Sequence, residues 1–549
     1  MRTVLRGGRV VDGTGSGPRR ADLAMRDGTI DAVGRVTPHP GDTVIDVGGR
    51  YLLPGFIDAH SHADGAVFRP EVQRALLRQG VTTVVGGQDG VSFAPGDGTY
   101  GREYFAAING GHPTYAGGGV SALLTGYDDT TPINVGYLVP AGTVRHEVMG
   151  FSALAPTRTQ LARMSTLVEE GMAQGALGLS SGLDYVPGSH ATSDELTMLC
   201  QVVARAGGLY VTHMRGGYEE NSRTGLDEVS AVAQGSGVAV HVSHLHGPSG
   251  LILPLLDAMR DEGIDLSFDA YPYRRGCTLL AMPILPPELL SRPREEVAAR
   301  LGEASVRAQV QTQWRPVLEA DPVIGSDWPE RLTVAHVAAE EYGWTHGRTL
   351  AEAARELSTD PMSLALDLIV ASRGEVSVVM AVRDHRPYAD FARLLHHRGY
   401  TAGSDGIYVG RHPHPRAWGT FARLLGMLTR AASDDAPDPD VGARWAAAAW
   451  RLSGHAARRY GLSEQGRLER GAAADVAVVD PGRLADAATY ANPTAEADGV
   501  DDVFVAGRHV LASGELTGIT SGAGLRRSLD AADRRTWRPT HQRTTPEEI

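Results

Sequence analysis

Lysine is missing from the 549 residues, and all 52 basic side chains are arginine. That absence excludes a Schiff-base amine, a lysine general base and a carboxylated-lysine bridge between metal ions. Cysteine is nearly missing too. Cys200 and Cys277 cannot staple a chain of this size, so stability must come from a packed core. No run approaches the roughly 18–20 apolar residues of a membrane span, and the opening MRTVLRGGRVVDG has no apolar signal core, so the expected compartment is the cytoplasm. With a net charge of −13 and no long basic run, neither nucleic acid nor membrane is an expected partner. Aromatics are only 6% of the chain, which leaves the core to aliphatic residues and alanine.

Glycine (67) and proline (31) are abundant, as in a protein with many shaped turns. Residues 1–54 alternate apolar and polar between Gly and Asp-Gly punctuation, the pattern of short strands. The same texture returns at 466–525, so both ends are expected to build one small β-sandwich, with 526–549 as a tail. Between them, 55–465 repeats a different rhythm of short apolar run, turn and helix-period segment. Nine such runs occur: 55–60, 82–87, 134–139, 176–182, 209–213, 238–244, 265–272, 376–382 and 400–405. Continuous apolar runs separated by helices mark buried parallel strands. The helices start on visible caps, Thr157 with Gln160 and Thr192 with Glu195. The expected fold is α/β, a (β/α)8 barrel with an insertion at about 275–370; the ninth run, 376–382, is expected to lie outside the barrel.

The chemistry gathers where the apolar runs end. His60 and His62 follow the first run and, two apart on a continuing strand, would share a face. His213 and His244 each close a later run, and Asp405 closes the last. Four imidazoles and a carboxylate at one mouth of a barrel point to a first-row divalent metal, zinc by default, with one or two ions. His241 falls on the opposite strand face and reads as structural. Cys200 sits on a buried helix face.

These segments (PGFIDAHSHAD, GVTTVVGGQDGVSFAP, GLDYVPGSHATSDEL, YVTHMRGG, VSHLHG, DAYPY and GSDGIYVGRHPHPRAWGTFARLLG) resemble the amidohydrolase superfamily. More narrowly they resemble its N-acyl-D-amino-acid deacylase (D-aminoacylase) branch. The resemblance implies a metal-dependent hydrolase with Asp405 as catalytic acid and base, and Arg416 in HPHPR as the partner of a substrate carboxylate. It also departs at three places. The branch often carries Gly-Asn-Cys-Gly after the second strand, its cysteine a zinc ligand. Here Gly87-Gln88-Asp89-Gly90 puts Asp89 in that position, and a harder carboxylate donor opens the choice to Mn or Fe. His246 replaces a usual lysine, and Cys277 a usual serine.

The expected metal ligands are therefore His213, His244 and Asp89, with His60 and His62 completing a second position or shaping the first. Expected substrate contacts are Arg416, Tyr271, Tyr185, His246 and Cys277, and the insertion, opening LLAMPILPPELL, would wall an apolar acyl group. The expected reaction is hydrolysis of a linear amide, an N-acyl-D-amino acid or a related N-acyl metabolite, by metal-activated water. The alternatives are a cyclic amidase of hydantoinase or dihydroorotase type, and a non-catalytic scaffold that kept the fold. Assembly state stays open, a homo-oligomer included.

Overall fold

The computed structural model describes residues 2–321, 323–382, 386–430 and 440–527. Among them an eight-stranded parallel sheet closes on itself. Its strands are β1 (Phe56–Asp58), β2 (Val81–Gly86), β3 (Asn134–Pro140), β4 (Gly178–Gly182), β5 (Leu209–His213), β6 (Ala239–Val242), β7 (Leu266–Ala270) and β8 (Tyr400–Ala402). The seam between β1 and β8 is closed by the Ala59 amide on the Ala402 carbonyl (3.0 Å) and the Asp405 amide on the His60 carbonyl (2.8 Å). β2, β3, β4 and β7 are buried along their whole length. Continuous burial on both faces is why these strands read as unbroken apolar runs instead of alternating ones.

The caps fall where the sequence puts them. Thr157 and Gln160 form a reciprocal capping box ahead of the helix Arg158–Ala173. Thr192 accepts the Glu195 amide at the head of Ser193–Arg205.

A nine-stranded sheet is built from both ends of the described chain, Tyr51–Pro54 pairing antiparallel with Val476–Val479. It encloses its own core, in which Leu5, Val10, Leu23 and Leu52 from one end meet Leu468, Val476 and Phe504 from the other. Between β7 and β8 the chain departs into the insertion. Strands Arg275–Leu279, Leu332–Val337 and Val376–Ala381 form a separate three-stranded antiparallel sheet, with a core of its own around Leu280, Leu301, Trp328 and Leu366. The ninth apolar run lies in this sheet, outside the barrel. The expected tail lies outside the described residues from 528 onward.

Candidate functional site

Every expected metal-binding side chain reaches one mouth of the barrel, but not by the route its spacing suggests. β1 ends at Asp58, so His60 and His62 are not held on one face by strand alternation. Their loop is set by hydrogen bonds from the His60 amide to Asp58 Oδ1 (3.3 Å) and from the His62 amide to the Gly406 carbonyl (3.0 Å). His213 does end β5, whereas β6 stops at Val242 and β8 at Ala402, so His244 and Asp405 lie in the turns beyond. Asp89 (φ 54°), His244 (φ 34°) and Asp405 (φ 49°) all occupy the left-handed backbone region. Each such non-glycine residue costs about 1–3 kcal/mol and persists only where its surroundings over-determine it. Here Gly87 (φ 72°) and Gly90 (φ 67°) flank Asp89, and any side chain at Gly87 would meet the Leu138 carbonyl at 2.2 Å.

Two donor sets share one carboxylate. His60, His62, Asp89 and Asp405 form one, and Asp89, His213 and His244 form the other; within each, one ligand atom per residue lies within 4.8 Å of the rest. Asp89 Oδ1 is 3.5 Å from His60 Nε2 and 3.7 Å from His244 Nε2, while Oδ2 is 3.6 Å from His62 Nε2 and 3.9 Å from His213 Nδ1. Asp405 Oδ1 sits 3.2 Å from His62 Nε2. Both ring nitrogens of His60 and Asp89 Oδ1 are buried without a hydrogen-bond partner. Buried polar atoms are normally paired, so His60 Nε2 and Asp89 Oδ1, orphans 3.5 Å apart that face into the cluster, fit divalent cations, with Asp89 between two positions.

The electrostatics suit the same purpose. Burial alone would raise the Asp89 carboxyl, but His60 and the surrounding imidazoles hold it well below the usual carboxylate range. Asp405 is likewise held down against burial, chiefly by the Arg416 guanidinium 2.8 Å from its Oδ2. Burial pulls His62 down, yet Asp405 and Asp89 together push it up to about 10.

A second layer fixes these ligands, and its members were not singled out by sequence reasoning. Asp184 lies 3.0 Å from His213 Nε2 and also accepts the Gly216 amide. Asp269 on β7 accepts the His244 amide (2.9 Å) and bonds His241 Nε2 (2.9 Å), with His60 Nδ1 at 3.6 Å. Asn109 Oδ1 holds His62 Nδ1 at 2.9 Å. Asp269 had a readable signal, a charged residue inside a buried apolar strand. Asp184 lies in a loop and Asn109 ends the short helix Ala106–Asn109, and neither had one. His241 is structural as expected, bonded to Ser267 and Asp269.

The site opens into a cavity of about 780 Å³ that His62, Asp89, His213, His244, Asp405 and Arg416 all line. Tyr185, Tyr271, His246 and Cys277 line it as well. Arg416 lies over the Tyr271 ring (4.6 Å), and its Nε and Nη2 have no hydrogen-bond partner. His246 stacks on Tyr218 and lies 3.5 Å from Glu219, so it is tied to its own wall. Burial pushes the Cys277 thiol up to about 12, which leaves it a poor nucleophile.

A closed α/β barrel with a two-position His/Asp centre at its mouth and a terminal sheet packed beside it defines a metal-dependent hydrolase architecture. The chain belongs to the amidohydrolase family, whose model matches residues 43–511. It is 32% identical to the D-aminoacylase of Alcaligenes xylosoxydans xylosoxydans, across 96% of this chain and 97% of that one. It is 31% identical to the N-acyl-D-glutamate deacylase of the same organism, across 92% of each. Among solved structures it resembles the N-acyl-D-glutamate deacylase of Bordetella bronchiseptica, crystallised with zinc and a phosphonate that mimics the tetrahedral intermediate. That match has a TM-score of 0.76 and 28% identity over 96% of this chain and 99% of that one.

Proposed function

We propose that this protein is a metal-dependent amidohydrolase that deacylates an N-acyl-D-amino acid or a closely related N-acyl metabolite. The observation that carries the reading is Asp89 standing between two sets of cation donors, with Asp405 and Arg416 paired beside them in one cavity. His60, His62, Asp89 and Asp405 would hold one cation, and Asp89, His213 and His244 the other. Bound zinc, or Mn or Fe in the same donors, supplies a Lewis acid that brings a water pKa toward about 7 and polarises the amide carbonyl.

The chain's own residues do the rest. Asp405 Oδ1 faces the cluster while Oδ2 is held by Arg416, so the carboxylate stays ionised and aimed. It takes the proton of the attacking water and returns it to the amide nitrogen as the C–N bond breaks, giving a carboxylate and a free amine. Arg416 keeps two donors free for the substrate's own carboxylate, which a guanidinium fork matches in shape. Tyr271 stacks behind that fork, and Tyr185 borders His213.

The test is a hydrolysis screen of metal-reconstituted protein against N-acetyl-D- and N-acetyl-L-amino acids, hydantoins and dihydroorotate. Turnover of the D-series alone is the expected result. Turnover confined to the cyclic amides would replace the reading, and no turnover of any member would remove it.

A further inference from the structure

The family relatives differ in the side chain they act on, and near-equal identities to a D-aminoacylase and to an N-acyl-D-glutamate deacylase do not separate them. The cavity does. Its volume of about 780 Å³ falls in the upper part of the roughly 300–1,000 Å³ range that encloses drug-sized ligands, well beyond an acetyl group and a small amino acid. The groups that chemistry needs all belong to the barrel mouth. The wall supplied between β7 and β8 is different in kind.

Met282, Pro283, Leu290, Ile324, Met380 and Phe391 line the cavity from five separate pieces of that crossover. All six are half-buried, so each keeps apolar surface open toward the cavity. Apolar surface converging from separate elements is stabilised once a ligand covers it.

Among the described residues of the lining, Arg416 alone among the arginines has buried guanidinium nitrogens without a hydrogen-bond partner. Arg215 is held by Glu228 and by the Ser189 and Ala191 carbonyls. Arg386 is ion-paired to Glu219. Arg274 and Arg275 lie over the rings of Tyr388 and Tyr490, each at 4.2 Å. Asp390 adds a carboxylate to the same lining.

Resting on the deacylase reading, we propose that the crossover wall binds an apolar substituent several carbons long, so that the substrate is an N-acyl amino acid carrying a bulky neutral hydrophobic group. That group is either the acyl chain or the amino-acid side chain, and the experiment separates them.

Full-length, metal-reconstituted protein is assayed on two series. One is D-alanine carrying acetyl through decanoyl groups, and the other is N-acetylated D-alanine, D-leucine, D-phenylalanine, D-glutamate and D-aspartate. In one series kcat/KM should rise about three- to fourfold per buried methylene, and the series that rises identifies the source. In Met380→Glu the ratio of the longest to the shortest member of that series should fall toward one. Flat series, or a preference for glutamate or aspartate, would overturn the proposal while leaving the deacylase reading intact.

Calorimetric titration with octanoate and with acetate supplies a readout that needs no turnover. Binding of octanoate at least about tenfold tighter supports the apolar wall even if every N-acyl amino acid is refused, in which case only the deacylase reading fails. Equal binding of the two acids overturns the wall assignment.

Discussion

Asp89 is the residue on which both donor sets depend, because each of its oxygens faces one imidazole from either set. With no lysine anywhere to be carboxylated, no other side chain of the cluster belongs to both. Asp89→Ala should therefore lower the bound metal of both positions, read as metal equivalents after dialysis; an unchanged content would demote it to a turn residue. Asp405 has a different weight. Its donor set keeps three other members, so Asp405→Asn should retain metal while turnover drops by about 10²–10⁴, the range for a lost acid–base group. Retained turnover would take that role away from it. Asp184 touches His213 on Nε2, the nitrogen that faces away from the cluster, and so turns Nδ1 toward Asp89 and His244. Asp184→Ala should weaken metal affinity by about 10- to 100-fold, measured by competition with a chromophoric chelator, and Asp184→Asn should recover part of it.

At the scale of elements, the short turns past β2, β6 and β8 decide where the ligands point. Sequence spacing located those residues without showing that three of them leave the strand and turn left-handed. Their aim comes from bonds to partners distant in sequence, such as the His244 amide on Asp269, which no local pattern encodes.

The contact between barrel and terminal sheet has its own titrating group. Asp475 is buried and accepts the Asn134 side chain of β3 and the Ala506 amide, and burial raises its carboxyl to about 6. The folded chain then holds that proton more tightly than the unfolded chain. Stability from this residue is highest below about pH 4 and declines as pH rises to about 6, by roughly 2–3 kcal/mol. Asp475→Asn cannot ionise, so the difference between wild type and variant should move toward the variant by that amount from pH 4 to 7. Urea unfolding at the two pH values measures it, and parallel profiles would refute the assignment.

For the whole molecule, the donors come from the end of β5 and from the loops after β1, β2, β6 and β8, spread around the barrel. A cation held there ties strands that are far apart in sequence, and it binds the folded chain alone. Chelation should therefore lower the melting temperature and re-addition of metal should restore it, with a shift that grows with metal concentration. A melting temperature indifferent to chelator would mean the cluster is satisfied without metal.

The amino-acid sequence alone determined the barrel strands, the exclusion of the run at 376–382, the terminal sheet pieces and the four histidines and Asp405 of the cluster, whereas Asp89 was found through the family resemblance. Those features follow from local apolar continuity and from residue type, both of which are written along the chain. Tertiary structure alone decided that Asp89 stands between two donor sets, that Asp184, Asp269 and Asn109 orient the ligands, and that Arg416 grips Asp405. It also decided that the insertion turns half-buried apolar side chains into the cavity. These are pairings between residues tens to hundreds of positions apart, and their geometry exists only once the barrel closes and brings the strand ends together.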